Sequence, residues 1–257
     1  MQLGQRKIRG LLIDLDGVLH VGAQPVPGAV RWLGELNRSG IPHCFVTNTT
    51  TQSLATLHGK LRDMGFDFPL ERLLTAPSAA RHYLERKRRT RCKLLLADDV
   101  RRDFEGFEQT DTGAQAVVLG DIGRAWNYDL LDQVFHLLMD GAELVALHRN
   151  KFWQTDTGLA LDIGAFVAGL EYASGRAATV VGKPNAEFFM AGVERMGLRP
   201  SEVAMIGDDI DSDVGGAQAI GLLGILVKTG KYRAEYAERS NVEPDLVVDS
   251  IASLSLD

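Results

Sequence analysis

In the segment Leu12-Ile13-Asp14-Leu15-Asp16-Gly17-Val18, two aspartates two residues apart close an apolar run. Alternate side chains of a strand point the same way, so both carboxylates are expected to leave its end on one side. Gly17 permits the turn that ends it. A strand that simply exits into an acidic turn would carry the same residues. A second segment, Val203-Ala204-Met205-Ile206-Gly207-Asp208-Asp209-Ile210-Asp211-Ser212-Asp213, places four carboxylates within six residues, again directly after an apolar run. Two unit charges about 4 Å apart interact by roughly 4 kcal/mol at an effective dielectric near 20. Crowding these groups against Asp14 and Asp16 therefore calls for a cation, and all-oxygen ligands without nearby His or Cys favour Mg²⁺ over zinc. Asp211 or Ser212 is expected to cap the helix that follows.

Two further pieces suit the same chemistry. Cys44-Phe45-Val46-Thr47-Asn48-Thr49 ends an apolar run in a hydroxyl and a turn whose N–H groups could hold a phosphate near the next helix. Val181-Gly182-Lys183-Pro184 sets a lysine at another strand end, where it could stand beside the carboxylates. Thr-Asn turns and solvated lysines are also common without any such role.

Elements must bring these pieces together. Aliphatic runs alternate with segments of helical period, the pattern of a parallel sheet wound with helices. Strands are predicted over 8–15 and 41–47. The helices after them carry Val30, Leu33 and Leu36, then Leu54, Leu57 and Leu61, and stop at Gly40 and Gly65. From about Thr75 the pattern restarts, with Pro77 in a first helical turn and strands at 93–97, 116–119 and 143–147. Leu131, Val134, Phe135 and Leu138 mark a helix between the last two. Buried strands return at 178–181, 203–206, 223–227 and 246–248. The expected fold class is α/β, a Rossmann-like doubly wound parallel sheet core over 1–75 and 178–257. A smaller α/β domain is inserted at 76–177.

DLDGV, VTN, VGKP and GDDIDSD, in that order, resemble the four motifs of the haloacid dehalogenase (HAD) superfamily, and the insertion resembles the large α/β cap of one of its branches. The segments 158–164, 170–173, 207–210 and 213–218 look most like the phospholysine, phosphohistidine and inorganic pyrophosphate phosphatases and their relatives. The resemblance implies a Mg²⁺-dependent phosphohydrolase acting on a small phosphorylated substrate, with pyrophosphate and phospho-amino acids as candidates. It implies Asp14 as nucleophile through an aspartyl phosphate and Asp16 as general acid and base. Asp14, the Asp16 carbonyl and Asp208 are implied as metal ligands, with Asp213 behind them. Thr47 and Asn48 would bind phosphate, and Lys183 would orient Asp14. Asp209 departs from the pattern, since many relatives carry arginine there. Substrate choice is expected from the cap, through His148, Lys151, Trp153 and Asp162. A homodimer is plausible by analogy. A phosphomutase and a non-catalytic metabolite- or protein-binding scaffold are the alternatives; dehalogenation leaves Asp16 without a task.

Composition narrows the classes. Across 257 residues, 28 basic and 34 acidic side chains give a net charge of −6, against wholesale nucleic-acid binding. The basic run Arg86–Arg91 is then the solvated end of a helix. No apolar stretch is long enough for a membrane span, and Asp14 and Asp16 interrupt any leader-like run. Cys44 and Cys92 fit neither a disulfide framework nor a zinc spacing, so the cytoplasm is the expected compartment.

Overall fold

The computed structural model describes residues 2–3, 6–155 and 158–256. Short strand pairs aside (2–3 with 6–7 and 20–21 with 24–25), the elements in chain order begin with β1 (Gly10–Asp14), α1 (Ala29–Ser39), β2 (His43–Thr47), α2 (Leu54–Asp63) and β3 (Leu73–Thr75). There follow α3 (Ala76–Arg86), β4 (Arg91–Leu95), β5 (Glu108–Gln109), β6 (Ala116–Leu119), α4 (Tyr128–Met139) and β7 (Glu143–Ala146). Next come β8 (Phe152–Thr155), β9 (Gly158–Leu161), α5 (Gly164–Ser174), β10 (Thr179–Val180) and α6 (Ala186–Arg195). The last are β11 (Val203–Gly207), a helical segment α7 (210–218), β12 (Leu223–Val227), α8 (Ala234–Arg239) and β13 (Leu246–Val248).

The chain divides into two units, 1–47 with 58–74 and 183–257, and 48–57 with 75–182. The first is built on a six-stranded sheet in the order β13-β12-β11-β1-β2-β3. From β13 through β2 the pairings are parallel, and β11 joins β1 with Ala204 opposite Leu11 and Ile206 opposite Ile13. Every residue of β1, β2, β11 and β12 is buried, as strands covered on both faces require. Each large apolar side chain so buried contributes roughly 1.5–3 kcal/mol relative to exposure. The helix predicted from Val30, Leu33 and Leu36 is α1, but it buries Ala29, Trp32, Leu33 and Leu36, leaving Val30 exposed. The i, i+3, i+4, i+7 stripe keeps the predicted Leu33 and Leu36 and takes Ala29 and Trp32 in place of Val30.

The second unit holds a five-stranded parallel sheet, β10-β7-β6-β4-β5, and the hairpin β8–β9. Successive residues of β6 enter opposite cores: Ala116 and Val118 join Ala80 and Leu84 of α3, while Val117 and Leu119 join Val134 and Leu138 of α4 and Val167 of α5. That alternation explains a strand apolar at every position. Thr75 caps α3 by accepting from the Ser78 amide at 3.1 Å, and Ser78 Oγ accepts from the Thr75 amide at 3.0 Å. The basic run lies past the end of α3, where Arg89 pairs with Glu143 at 2.5 Å and Arg91 with Glu108 at 3.0 Å.

Two features depart from the sequence reading. The run 178–181, expected among the returning core strands, pairs with β7 instead, through Val145 opposite Thr179 and Ala146 opposite Val180. Residues 48–57 group with the second unit because the Ser53 and Leu54 amides donate to Asp99 (2.7 Å) and Asp103 (3.0 Å), contacts far apart in sequence. Cys44 and Cys92 are free and buried, and burial pushes the Cys92 thiol up to about 11. No helix among the described residues is long and apolar enough to cross a membrane.

Candidate active site

The carboxyl ends of β1 and β11, neighbours in the first sheet, carry the chemistry. Asp14 is the last residue of β1, and Asp208 follows β11 directly. Helix α7 then turns Asp213 back toward them: its carboxylate accepts from the Asp209 amide at 3.1 Å. Asp209, rather than Asp211 or Ser212, caps α7, accepting from the Asp211 amide at 3.1 Å and the Ser212 amide at 3.0 Å. The helix starts at 210, and its N-cap is the residue before it. This assigns Asp209 a local structural task that an arginine, with no acceptor, could not perform in the same way.

Asp14, Asp208 and Asp213 are 6%, 2% and 0% exposed, and one carboxylate oxygen of each lies within 4.8 Å of the others. Lys183, 3% exposed, sets its Nζ 2.7 Å from Asp14 Oδ1 and 2.7 Å from Asp213 Oδ1. Burial pulls the lysine pKa down, but Asp14 and Asp213 more than reverse it, so Lys183 stays charged. Burial raises the Asp14 carboxyl, opposed by Lys183. Asp208 is raised well above the usual carboxylate range by burial and then by the like charges of Asp14 and Asp213. Asp213 is pushed up to about 7, first by burial.

Lys183 thus pairs with two of the three buried carboxylates, and Asp208 Oδ1 is buried without a hydrogen-bond partner. Three converging hard oxygen donors with a net negative charge and one unsatisfied lone-pair group fit a divalent cation of the Mg²⁺ type.

The other residues singled out in the sequence fall into three groups. Thr47, buried, ends β2 beside β1, where Asp14 lies opposite Val46, and Asn48 follows it in the chain. Asp16 does not share the burial of Asp14: its side chain is 54% exposed, with His20 Nδ1 at 3.5 Å. The strand ends at Asp14, so the alternation expected to align the two aspartates stops before Asp16. In the second unit His148 and Asp162 are buried together, Nε2 to Oδ1 3.8 Å, with His148 Nδ1 accepting from the Asn150 amide at 3.3 Å. Lys151 is exposed. Trp153 pairs with Ala160 across the β8–β9 hairpin; its side chain lies outside the described residues.

Lys231 was not picked out by the sequence reading. It lies in Lys228-Thr229-Gly230-Lys231, just past β12, and its amide donates to Asp208 Oδ2 at 2.6 Å. Its solvent-reaching ammonium is held above the ordinary lysine pKa by Asp208, Asp14 and Asp209, although desolvation pulls the other way. A Thr-Gly-Lys turn at the carboxyl end of a buried strand is the signal that would have found it. A cavity of about 460 Å³ opens at the opposite, amino end of β2, beside His43, Arg72 and Arg195; it holds none of these carboxylates.

A parallel α/β sheet with carboxylates and a lysine gathered at the carboxyl ends of its strands defines an α/β protein whose site lies where such sheets place their ligands, and this chain belongs to the haloacid dehalogenase-like hydrolases. The family model of that description matches residues 11–109, and a HAD-hydrolase-like model matches 180–254. The human haloacid dehalogenase-like hydrolase domain-containing protein 2 is 44% identical over 95% of this chain and 93% of its own length. The bovine phospholysine phosphohistidine inorganic pyrophosphate phosphatase is 38% identical over 95% of this chain and 92% of its own. Among solved structures, the 4-nitrophenylphosphatase of Thermotoga maritima superposes with a TM-score of 0.87 at 28% identity, covering 95% of both chains.

Proposed function

We propose that this enzyme is a Mg²⁺-dependent phosphohydrolase that works through an aspartyl phosphate on Asp14. The observation that carries the reading is the buried group of Asp14, Asp208 and Asp213, bridged by Lys183 and left with an unsatisfied Asp208 oxygen. The phosphatases among its relatives support it.

The residues divide the work as follows. An Asp14 oxygen attacks phosphorus, and the bond to the leaving oxygen breaks as that oxygen takes a proton from the Asp16 carboxyl. Water then attacks the same phosphorus, Asp16 takes the proton of that water, and the bond to Asp14 breaks to release phosphate. Thr47 and the Asn48 backbone hold phosphoryl oxygens. Lys183 fixes Asp14 and offsets charge that grows on the phosphoryl oxygens. Asp14, the Asp16 carbonyl and Asp208 would hold the cation, and Asp213 orients Lys183. When bound, Mg²⁺ neutralises phosphate charge and so lets a dianion approach a carboxylate.

The inserted unit selects the substrate, with His148, Lys151, Trp153 and Asp162 as its candidate determinants. The substrate class is a small phosphorylated compound, pyrophosphate or a phospho-amino acid, and the working form is a cytoplasmic homodimer. Phosphate release from a panel of such compounds, with Mg²⁺ and with EDTA, tests the reading, and Asp14→Asn is the control. Release that survived either EDTA or the substitution would refute it, and sedimentation would decide the dimer.

A further inference from the structure

The turn after β12 makes contacts that none of the roles above requires. Thr229 Oγ1 donates a short hydrogen bond to the Gly17 carbonyl, in the loop that follows Asp14 and Asp16. Two residues on, the Lys231 amide donates to Asp208 Oδ2 at 2.6 Å. Between these contacts, Gly230 has φ +62, and a Cβ there would stand 2.1 Å from Asp208 Oδ2 and 2.3 Å from Gly17 Cα. Gly17 has φ +82, and its own Cβ would stand 1.9 Å from Asp208 Oδ2. Neither position admits another residue without moving the carboxylate or the facing backbone. The two glycines let two loops close on Asp208 from both sides.

The consequence concerns which oxygen is offered. Asp208 is 2% exposed; its Oδ2 is engaged by Lys231 while Oδ1 is buried without a partner. A carboxylate can swing to present either oxygen or both. Here the turn holds one and leaves the other. A separate contact bears on Asp16: the Gly17 amide donates to the His20 carbonyl at 2.7 Å. The peptide joining Asp16 to Gly17 is planar, so this bond also sets the direction of the Asp16 carbonyl.

We infer that Thr229-Gly230-Lys231 is a positioning clasp for the cation site: it locks Asp208 to present Oδ1 alone and ties the Gly17 loop to it. The clasp rests on the Mg²⁺ reading above. Thr229 and the Lys231 amide act through Asp208 and Gly17 and are positioning groups. Partners of this kind, one step removed from a metal, change affinity by about 10- to 100-fold when lost.

The test is calorimetric titration of the intact protein with Mg²⁺, without substrate, together with thermal unfolding in EDTA. The variants are Thr229→Val, Thr229→Ser, Gly230→Ala and Asp208→Asn. Thr229→Val is expected to weaken Mg²⁺ about tenfold, Thr229→Ser to bind like the wild type, and Gly230→Ala to bind weakest of the three. In EDTA, Thr229→Val and Thr229→Ser should unfold at the same temperature, separating positioning from general packing. If Asp208→Asn loses Mg²⁺ but Thr229→Val and Gly230→Ala keep wild-type affinity, the clasp is wrong and the metal reading stands. If the wild type and Asp208→Asn bind Mg²⁺ alike, the metal reading fails and takes the clasp with it.

Discussion

The two parallel sheets of this chain share an architecture and treat buried charge in opposite ways. In the second unit charged groups at or near the strands meet partners of opposite charge or good hydrogen-bonding capacity. Lys93 in β4 pairs with Asp111 and donates to Gln133 at 2.9 Å. Glu143 at the start of β7 takes the Tyr83 hydroxyl at 2.5 Å, the Thr179 hydroxyl at 2.9 Å and Arg89. At the strand ends of the first unit three buried carboxylates gather, Lys183 pairs with only two of them, Asp14 and Asp213, and Asp208 Oδ1 has no hydrogen-bond partner. The same fold is therefore satisfied in one place and held under electrostatic tension in another. That tension marks where a cation and an anionic substrate belong, because a fold by itself does not specify chemistry.

The contrast can be broken most severely at Asp14. Asp14→Asn is expected to lower phosphate release at least about 10³-fold, as loss of a nucleophile does, in a steady-state assay with Mg²⁺. Next comes Lys183→Met, which leaves two buried carboxylates without their cation. Removing one partner of a buried ion pair costs about 3–5 kcal/mol, to be read from urea unfolding, and turnover should fall with it.

A smaller effect appears with pH. The folded carboxyls of Asp208 and Asp213 sit above the ordinary value of 3.8, Asp213 at about 7. Between these values the folded state binds more protons than the unfolded one, so stability falls as pH rises through that window. In EDTA the unfolding temperature should decline from roughly pH 4 toward pH 7; Mg²⁺ should flatten the slope, as should Asp208→Asn without Mg²⁺. A profile in EDTA that rose across this window would contradict the arrangement. The smallest effect belongs to the satisfied sheet. Tyr83→Phe removes one hydrogen bond to Glu143 and should cost about 1–3 kcal/mol by the same denaturant measurement, with turnover unchanged.

Much of the fold was legible because its signals are local. Largely apolar runs at 10–14, 43–47, 203–207 and 223–227 mark strands buried on both faces, and Pro77 with Thr75 marks the start of α3. Less legible were features decided by distant partners. The apolar run 178–181 suits either sheet, and only its hydrogen bonds to β7 assign it. In α1 Leu33 and Leu36 were legible, but Ala29 and Trp32 are buried in place of Val30, and Trp32 Nε1 donates to the distant Leu254 carbonyl at 2.8 Å. In the site, Asp16 looked equivalent to Asp14 until the strand end separated a buried carboxylate from a half-exposed one. Lys231 stayed hidden because its importance lies in a backbone amide, which every residue but proline carries.

The sequence by itself determined the chemical types available: paired aspartates at the end of the first apolar run, an acidic run after β11, one lysine between Gly182 and Pro184, and hydrophobic runs that must be buried strands. These are properties of neighbouring residues, and spacing reports them directly. Only the tertiary structure decided that β11 lies beside β1, that Lys183 bridges Asp14 and Asp213, and that one Asp208 oxygen is engaged while the other is not. Those facts depend on desolvation and on contacts between residues from 23 to nearly two hundred positions apart, and such energies exist only once the chain has closed around them.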